Sequence, residues 1–172
     1  MKMRWVLALL LSVTMAQAAP RDVVFTNIDG GEHRLSQWAG QPVLVVNTAS
    51  QCGYTGQYSG LQALYDRYRA RGLVVLAVPS DDFNQELGSA DEVKEFCEVT
   101  FGLDLPMTDI TAVRGTKAHP FYRAVKAETG FEPGWNFNKI LIGPDGRVVG
   151  TWGAPVKPES AAIVGAIEPL LN

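Results

Sequence analysis

Only two cysteines occur in the 172 residues, and one of them, Cys52, stands in the stretch N-T-A-S-Q-C-G-Y-T-G-Q from Asn47 to Gln57. The stretch follows the apolar run P-V-L-V-V and precedes a segment of helical periodicity. At such a strand-to-helix turn the unpaired N–H groups of the helix start favour a negative charge, and the thiolate is the reactive form of cysteine. Gly53 and Gly56 leave the backbone room to turn and a substrate room to approach. Thr55 stands where a C-x-x-C motif would place its second cysteine, so there is no local partner for a dithiol exchange cycle. A nucleophile without an adjacent resolver suits attack on a peroxide O–O bond, which leaves a sulfenic acid. Two other readings stay open on these residues. Cys52 could be a structural half-cystine paired with Cys97, or a small buried hydrophobe.

The elements that must position Cys52 follow from hydrophobic periodicity. Val23–Thr26 and Glu32–Leu35 flank Asp29-Gly30-Gly31 and predict a hairpin. Pro42–Asn47 and Leu73–Val78 are apolar, β-branched runs that predict buried strands. Between them Leu61, Leu64, Tyr65 and Tyr68 recur at helical spacing, and Gly72 closes that helix. Ser89 with Glu92 forms a capping box opening a helix that carries Val93, Phe96 and Cys97 on one face. A short helix falls around Phe121 and Val125. Strands Ile140–Ile142 and Val148–Trp152 are joined by the turn Pro144-Asp145-Gly146, and Ser160–Leu171 is an apolar C-terminal helix. This order predicts an α/β chain with a central mixed β-sheet flanked by helices and an N-terminal β-hairpin. Of the small α/β architectures, the thioredoxin-like fold fits it best. Its carboxyl-end crevice is where ligands and catalysis collect, and Cys52 is placed there.

With 47% hydrophobic and 19% charged residues, the composition is that of a globular domain. The first residues read differently. Lys2 and Arg4 precede the mostly apolar Trp5–Met15, and Ala16-Gln17-Ala18 offers small residues at a cleavage site. This predicts a signal peptide over 1–18, cut after Ala18, and an exported, periplasmic domain over 19–172. The apolar stretch is too short to span a bilayer, and no later segment resembles a membrane span. Removing Lys2 and Arg4 from the 15 basic residues leaves 13 against 18 acidic ones, a net charge of −5. No basic run remains, which argues against a nucleic-acid partner. Two histidines and two separated cysteines give no metal site, and no cofactor is predicted.

Three blocks carry a family resemblance. N-T-A-S-Q-C-G-Y-T-G-Q-Y-x-x-L resembles the active-site signature of the glutathione peroxidase family in its cysteine form. Gln85-Glu86-Leu87-Gly88-Ser89 resembles its Q-E-P-G-S segment, and Trp135-Asn136-Phe137-Asn138-Lys139 its W-N-F-x-K block. The similarity runs from about Val23 to Pro158. It implies a catalytic tetrad of peroxidatic Cys52 with Gln85, Trp135 and Asn136. Amide and indole donors of this kind can hold a thiolate and stabilise charge on the leaving oxygen, and none of them titrates.

Cys97, on an apolar helix face, reads by itself as a buried inert thiol. The block Glu95-Phe96-Cys97 with Phe101 to Pro106 resembles the resolving segment of the family's thioredoxin-dependent members. That resemblance implies that sulfenylated Cys52 condenses with Cys97, through local unfolding of the helix, and that an external dithiol reduces the bridge. The implied partners are hydrogen peroxide or an organic hydroperoxide as substrate, and a thioredoxin-like protein or a low-molecular-weight thiol as reductant. The short connection from Arg114 to Trp135 lacks the insertion that tetrameric members use for assembly, which implies a monomer. The chain departs from the family in two places. Pro79-Ser80-Asp81-Asp82-Phe83-Asn84 lacks the cysteine of P-C-N-Q-F-G and is one residue shorter, and Leu87 replaces a proline. The acidic group Asp81, Asp82 and Glu86 reads as a solvated loop. Two rival functions remain. One is an exported thiol–disulfide oxidoreductase on the same fold, and the other is a non-enzymatic domain stapled by Cys52–Cys97.

Overall fold

The computed structural model describes residues 23–172, so the signal peptide expected over 1–18 lies outside the described residues. Strands β1 (Val24–Thr26) and β2 (Glu32–Arg34) form an antiparallel hairpin turning at Gly30 and Gly31, both at positive φ. The main sheet contains β3 (Val43–Thr48), β4 (Val74–Pro79), β5 (Lys139–Ile142) and β6 (Val148–Trp152) in the order β4-β3-β5-β6. β3 runs parallel to β4 and antiparallel to β5, and β5 is antiparallel to β6. The segment Pro106–Thr108 extends the sheet beyond β4, with Ala77 donating to the Pro106 carbonyl at 2.9 Å and accepting from Thr108 at 2.9 Å.

Every residue of β3 and β4 is buried, which is why both read as continuous apolar runs rather than alternating ones. Alternation persists in which core each side chain enters. Leu44, Val46, Val75 and Ala77 face one core with α1 (Gln57–Tyr68), α2 (Ala90–Phe101) and α4 (Ala161–Ile167). Val43, Val45, Val74, Leu76 and Val78 face the other, with the hairpin and α3 (Pro120–Thr129). A mixed sheet covered on both faces is therefore the observed architecture.

Element ends depart from the sequence reading at specific residues. β3 continues into Thr48, while β1 and β2 are trimmed at their outer ends. Helix α1 stops at Tyr68 and tightens into a 3-10 turn, Arg69–Arg71, before Gly72 at φ 96°. The C-terminal helix ends at Ile167 and continues as the 3-10 turn Glu168–Leu170, because Pro169 has no N–H to continue the α-helical ladder. Ser89 caps the helix as expected, its Oγ accepting from the Glu92 N–H at 3.3 Å, while the Glu92 carboxylate reaches back to the Ser89 hydroxyl at 3.2 Å in place of the reciprocal backbone bond of a full capping box. Since α2 carries Cys97, the Ser89→Ala substitution is expected to weaken that helix by about 1 kcal/mol. Amide hydrogen exchange along α2 should then speed up by about fivefold while the β3 and β4 amides are unchanged.

Candidate active site

The strand directions bring three separate segments to one edge of the sheet. β3 and β4 are parallel, so the loops that follow them, with Cys52 and Gln85, leave from the same end. β5 is antiparallel to β3, so the segment entering it, with Trp135 and Asn136, arrives at that end as well.

Cys52 is 4% exposed and begins a series of turns that lead into α1. Thr55 donates to the Cys52 carbonyl at 3.1 Å, Gln57 to Tyr54 at 2.9 Å and Tyr58 to Thr55 at 3.0 Å. The Tyr54 N–H lies 3.5 Å from Cys52 Sγ and donates to it. The amide directed at the sulfur belongs to the turn before α1 rather than to the helix start the sequence position predicts, since α1 begins only at Gln57. The preceding amide, Gln51 N–H, donates to the Gln85 carbonyl at 2.9 Å and so joins the cysteine turn to the glutamine loop.

Gln85 Oε1 accepts from Asn136 Nδ2 at 3.0 Å, which leaves the Gln85 amide nitrogen available as a donor. Asn136 is fully buried and its Oδ1 has no protein partner. Trp135 is 42% exposed, with its ring 5.3 Å from that of Phe83. Hydrogen bonds thus link three of the predicted residues directly or through a neighbour, and Trp135 adjoins them as the residue before Asn136. The two non-glycine residues at positive φ among the described residues, Asn84 at 53° and Phe137 at 60°, flank this constellation. Asn84 precedes Gln85 and Phe137 follows Asn136. A left-handed conformation is costly for a bulky side chain, and such strain gathers at sites the surrounding structure over-determines.

Asn47 supplies much of that determination. Its side-chain Nδ2 donates to the Trp135 carbonyl at 2.9 Å, and its Oδ1 accepts from the Asn138 N–H at 3.0 Å. Its backbone carbonyl accepts from the Phe137 N–H at 2.6 Å. The sequence reading placed Asn47 at the end of a strand and at the start of the cysteine block without giving its side chain a role; an amide closing an apolar run was the available signal.

The acidic group is where the structure corrects the sequence reading. Asp81 and Asp82 are exposed but engaged: Asp82 Oδ2 accepts from Val113 at 2.6 Å and Arg114 at 3.1 Å, and Asp81 Oδ1 from Glu86 N–H at 3.1 Å. Glu86 is buried, with Oε1 accepting from the N–H groups of Ser50 and Leu87, each at 2.9 Å. The loop needs acceptors for backbone amides that no ladder satisfies, and its carboxylates supply them.

Cys97 is fully buried on α2, on the same face as Val93, and both thiols are free. Burial pushes the Cys97 thiol up to about 11, while the nearby Tyr58 hydroxyl works against that rise. His119 caps α3, stacks on Phe25 at 4.0 Å and bonds the Val24 carbonyl at 2.9 Å, so its role is structural. Among the described residues no cluster of His, Cys, Asp or Glu could hold a metal ion, and no helix is long and apolar enough to cross a membrane.

Comparison with known proteins bears on the fold and the family of the chain. The family model for glutathione peroxidase matches residues 21–126. A hydroperoxy fatty acid reductase of Synechocystis sp. is 40% identical over 158 residues, covering 84% of this chain and 90% of the relative. A glutathione peroxidase-like peroxiredoxin of Schizosaccharomyces pombe is 40% identical over 146 residues, covering 82% and 89%. The crystal structure of T. cruzi GPX1 superposes with a TM-score of 0.70 at 31% identity, covering 89% of this chain and 96% of that one. The thioredoxin-like fold inferred from element order is thereby shown.

One further side chain ties the site to the body of the protein. Lys139, fully buried at the start of β5, donates to Gln57 Oε1 at 2.5 Å, the Val156 carbonyl at 2.5 Å and the Ala154 carbonyl at 3.3 Å. It pins the segment before α4 to the start of α1. Burial pulls its ammonium from 10.5 down to about 8, so the folded state disfavours the charged form. That penalty is complete below pH 8 and is relieved as the pH rises from about 8 towards 10.5. Urea denaturation should therefore show the parent protein gaining stability across that window relative to Lys139→Met. Parallel pH profiles for the two proteins would refute the assignment.

Proposed function

The chain belongs to the glutathione peroxidase family, and from that premise we propose that it is an exported thiol peroxidase reducing hydrogen peroxide or organic hydroperoxides at Cys52. The observation that carries this reading is the hydrogen-bonded pair of Gln85 and Asn136, joined to the Cys52 turn through Gln51. These residues supply amide donors where negative charge develops on oxygen.

The Cys52 thiolate attacks one peroxide oxygen; an S–O bond forms as the O–O bond breaks, and the departing alkoxide or hydroxide takes up a proton. Cysteine is oxidised to sulfenic acid and the peroxide is reduced to an alcohol or water. The Gln85 and Trp135 N–H groups, with the Asn136 amide, orient the peroxide and stabilise the leaving oxygen. Cys97 then attacks the Cys52 sulfur; an S–S bond forms and the sulfenic oxygen leaves as water. An external dithiol reduces the bridge. The high ionisation range of buried Cys97 supports a resolving step that begins only when α2 opens locally.

The hydroperoxy fatty acid reductase activity named for the Synechocystis sp. relative supports organic hydroperoxides as substrates. The peroxiredoxin character named for the Schizosaccharomyces pombe relative supports a thioredoxin-like reductant over a low-molecular-weight thiol. The signal-peptide pattern expected over 1–18 supports a periplasmic location, and the short connection from Arg114 to Trp135 supports a monomer.

One equivalent of peroxide added to the reduced protein should form an intramolecular disulfide, read as a loss of about 2 Da. In Cys97→Ser the product should instead be a trapped sulfenic acid at Cys52, a gain of about 16 Da. A Cys52 that stays a thiol for minutes under excess peroxide would sink the proposal.

A further inference from the structure

Glu86 stands outside the expected tetrad, yet the structure gives it an unusual environment. Its carboxylate is 9% exposed and forms no ion pair among the described residues. Its two backbone donors, Ser50 N–H and Leu87 N–H, converge on Oε1, and Oε2 is buried with no partner at hydrogen-bond geometry, although the Ser50 hydroxyl lies close enough to the carboxylate to favour its charged form. A buried carboxylate with an orphaned oxygen is expensive to keep. Burial correspondingly raises its ionisation above the ordinary carboxylate range.

The two donors are informative in their identity. Ser50 lies two residues before Cys52, and Leu87 lies two residues after Gln85. Ser50 N–H reaches the Glu86 side chain while the next amide, Gln51 N–H, reaches the Gln85 carbonyl. Consecutive amides of the cysteine turn therefore hang from consecutive residues of the glutamine loop. The second donor belongs to a departure of this chain. Where the family segment Q-E-P-G-S has proline, Leu87 has an N–H to give, and proline would have none.

We propose that Glu86 is a positioning residue for the peroxide step, its Oε1 acting as a shared acceptor that sets Gln85 against the Cys52 turn. Leu87 completes the clamp by fixing the carboxylate. This rests on the reading of Cys52 as the peroxidatic residue.

The test uses the full reduced protein and two reactions of Cys52. Oxidation by stoichiometric hydrogen peroxide needs Gln85 in place; alkylation by iodoacetamide needs only an accessible thiolate. Removal of the clamp in Glu86→Ala should slow peroxide oxidation on the order of 10- to 100-fold, as expected for a misplaced catalytic group. Its alkylation rate at Cys52 should stay within about threefold. Glu86→Gln, which keeps one acceptor oxygen, should recover at least half of the loss on a logarithmic scale. Leu87→Pro should fall between parent and Glu86→Ala. Equal peroxide rates in parent and Glu86→Ala would overturn the proposal. So would parallel changes in oxidation and alkylation, which mark a general loosening of the turn. If Glu86→Ala does not fold, Glu86→Gln and Leu87→Pro carry the same comparison. A parent protein that does not react with peroxide would instead count against the peroxidase reading itself.

Discussion

The site depends on how β3 ends. A strand buried on both faces closes with Asn47, whose backbone and side chain together hold the Trp135–Asn138 segment against the sheet. Apolar residues could pack there but could not satisfy the carbonyl of Trp135 or the N–H of Asn138 in a region with little water. Because β4 lies parallel on one side of β3 and β5 antiparallel on the other, this single strand end is the meeting point of all three loops. Reversing either neighbour would carry one block to the far edge of the sheet.

Around that point the protein accepts local cost. Phe137 and Asn84 hold positive φ beside Asn136 and Gln85, Asn136 keeps a buried acceptor without a partner, and Glu86 keeps a buried carboxylate oxygen outside the bonds to Ser50 and Leu87 N–H. Each lowers stability, and each is compatible with a folded protein because two thick cores flank the sheet. The two cysteines meet opposite demands. Cys52 sits on a turn with an amide directed at its sulfur, whereas Cys97 lies inside a capped helix, where burial pushes its thiol up. On the proposed cycle, the opening of α2 decides when the second thiol becomes competent.

Much of this was legible in the residues. β3 and β4 were readable because continuous β-branched runs have few alternatives to buried strands, and α2 because Ser89 and Glu92 give the local pattern of a capping box. Thr55 was enough to set aside a C-x-x-C cycle. Less legible were groups whose role depends on distant partners. Glu86 looked like one more solvated acid, and only the approach of Ser50, 36 residues earlier, shows it to be buried. Lys139 was read only as the last residue of the W-N-F-x-K block, since its acceptors lie on α1 and on the segment before α4. The C-terminal helix was overextended because its apolar pattern outlasts the break imposed by Pro169.

The sequence by itself determined the fold class and set aside a C-x-x-C cycle, because periodicity, turn residues and side-chain inventory are local properties, while the grouping of the three blocks came from their family resemblance. Tertiary structure decided which amides face one another, which carboxylate is buried, and how the cysteine turn is tied to the glutamine loop. Those outcomes depend on strand direction and on hydrogen bonds between residues far apart in the chain. No local pattern encodes them.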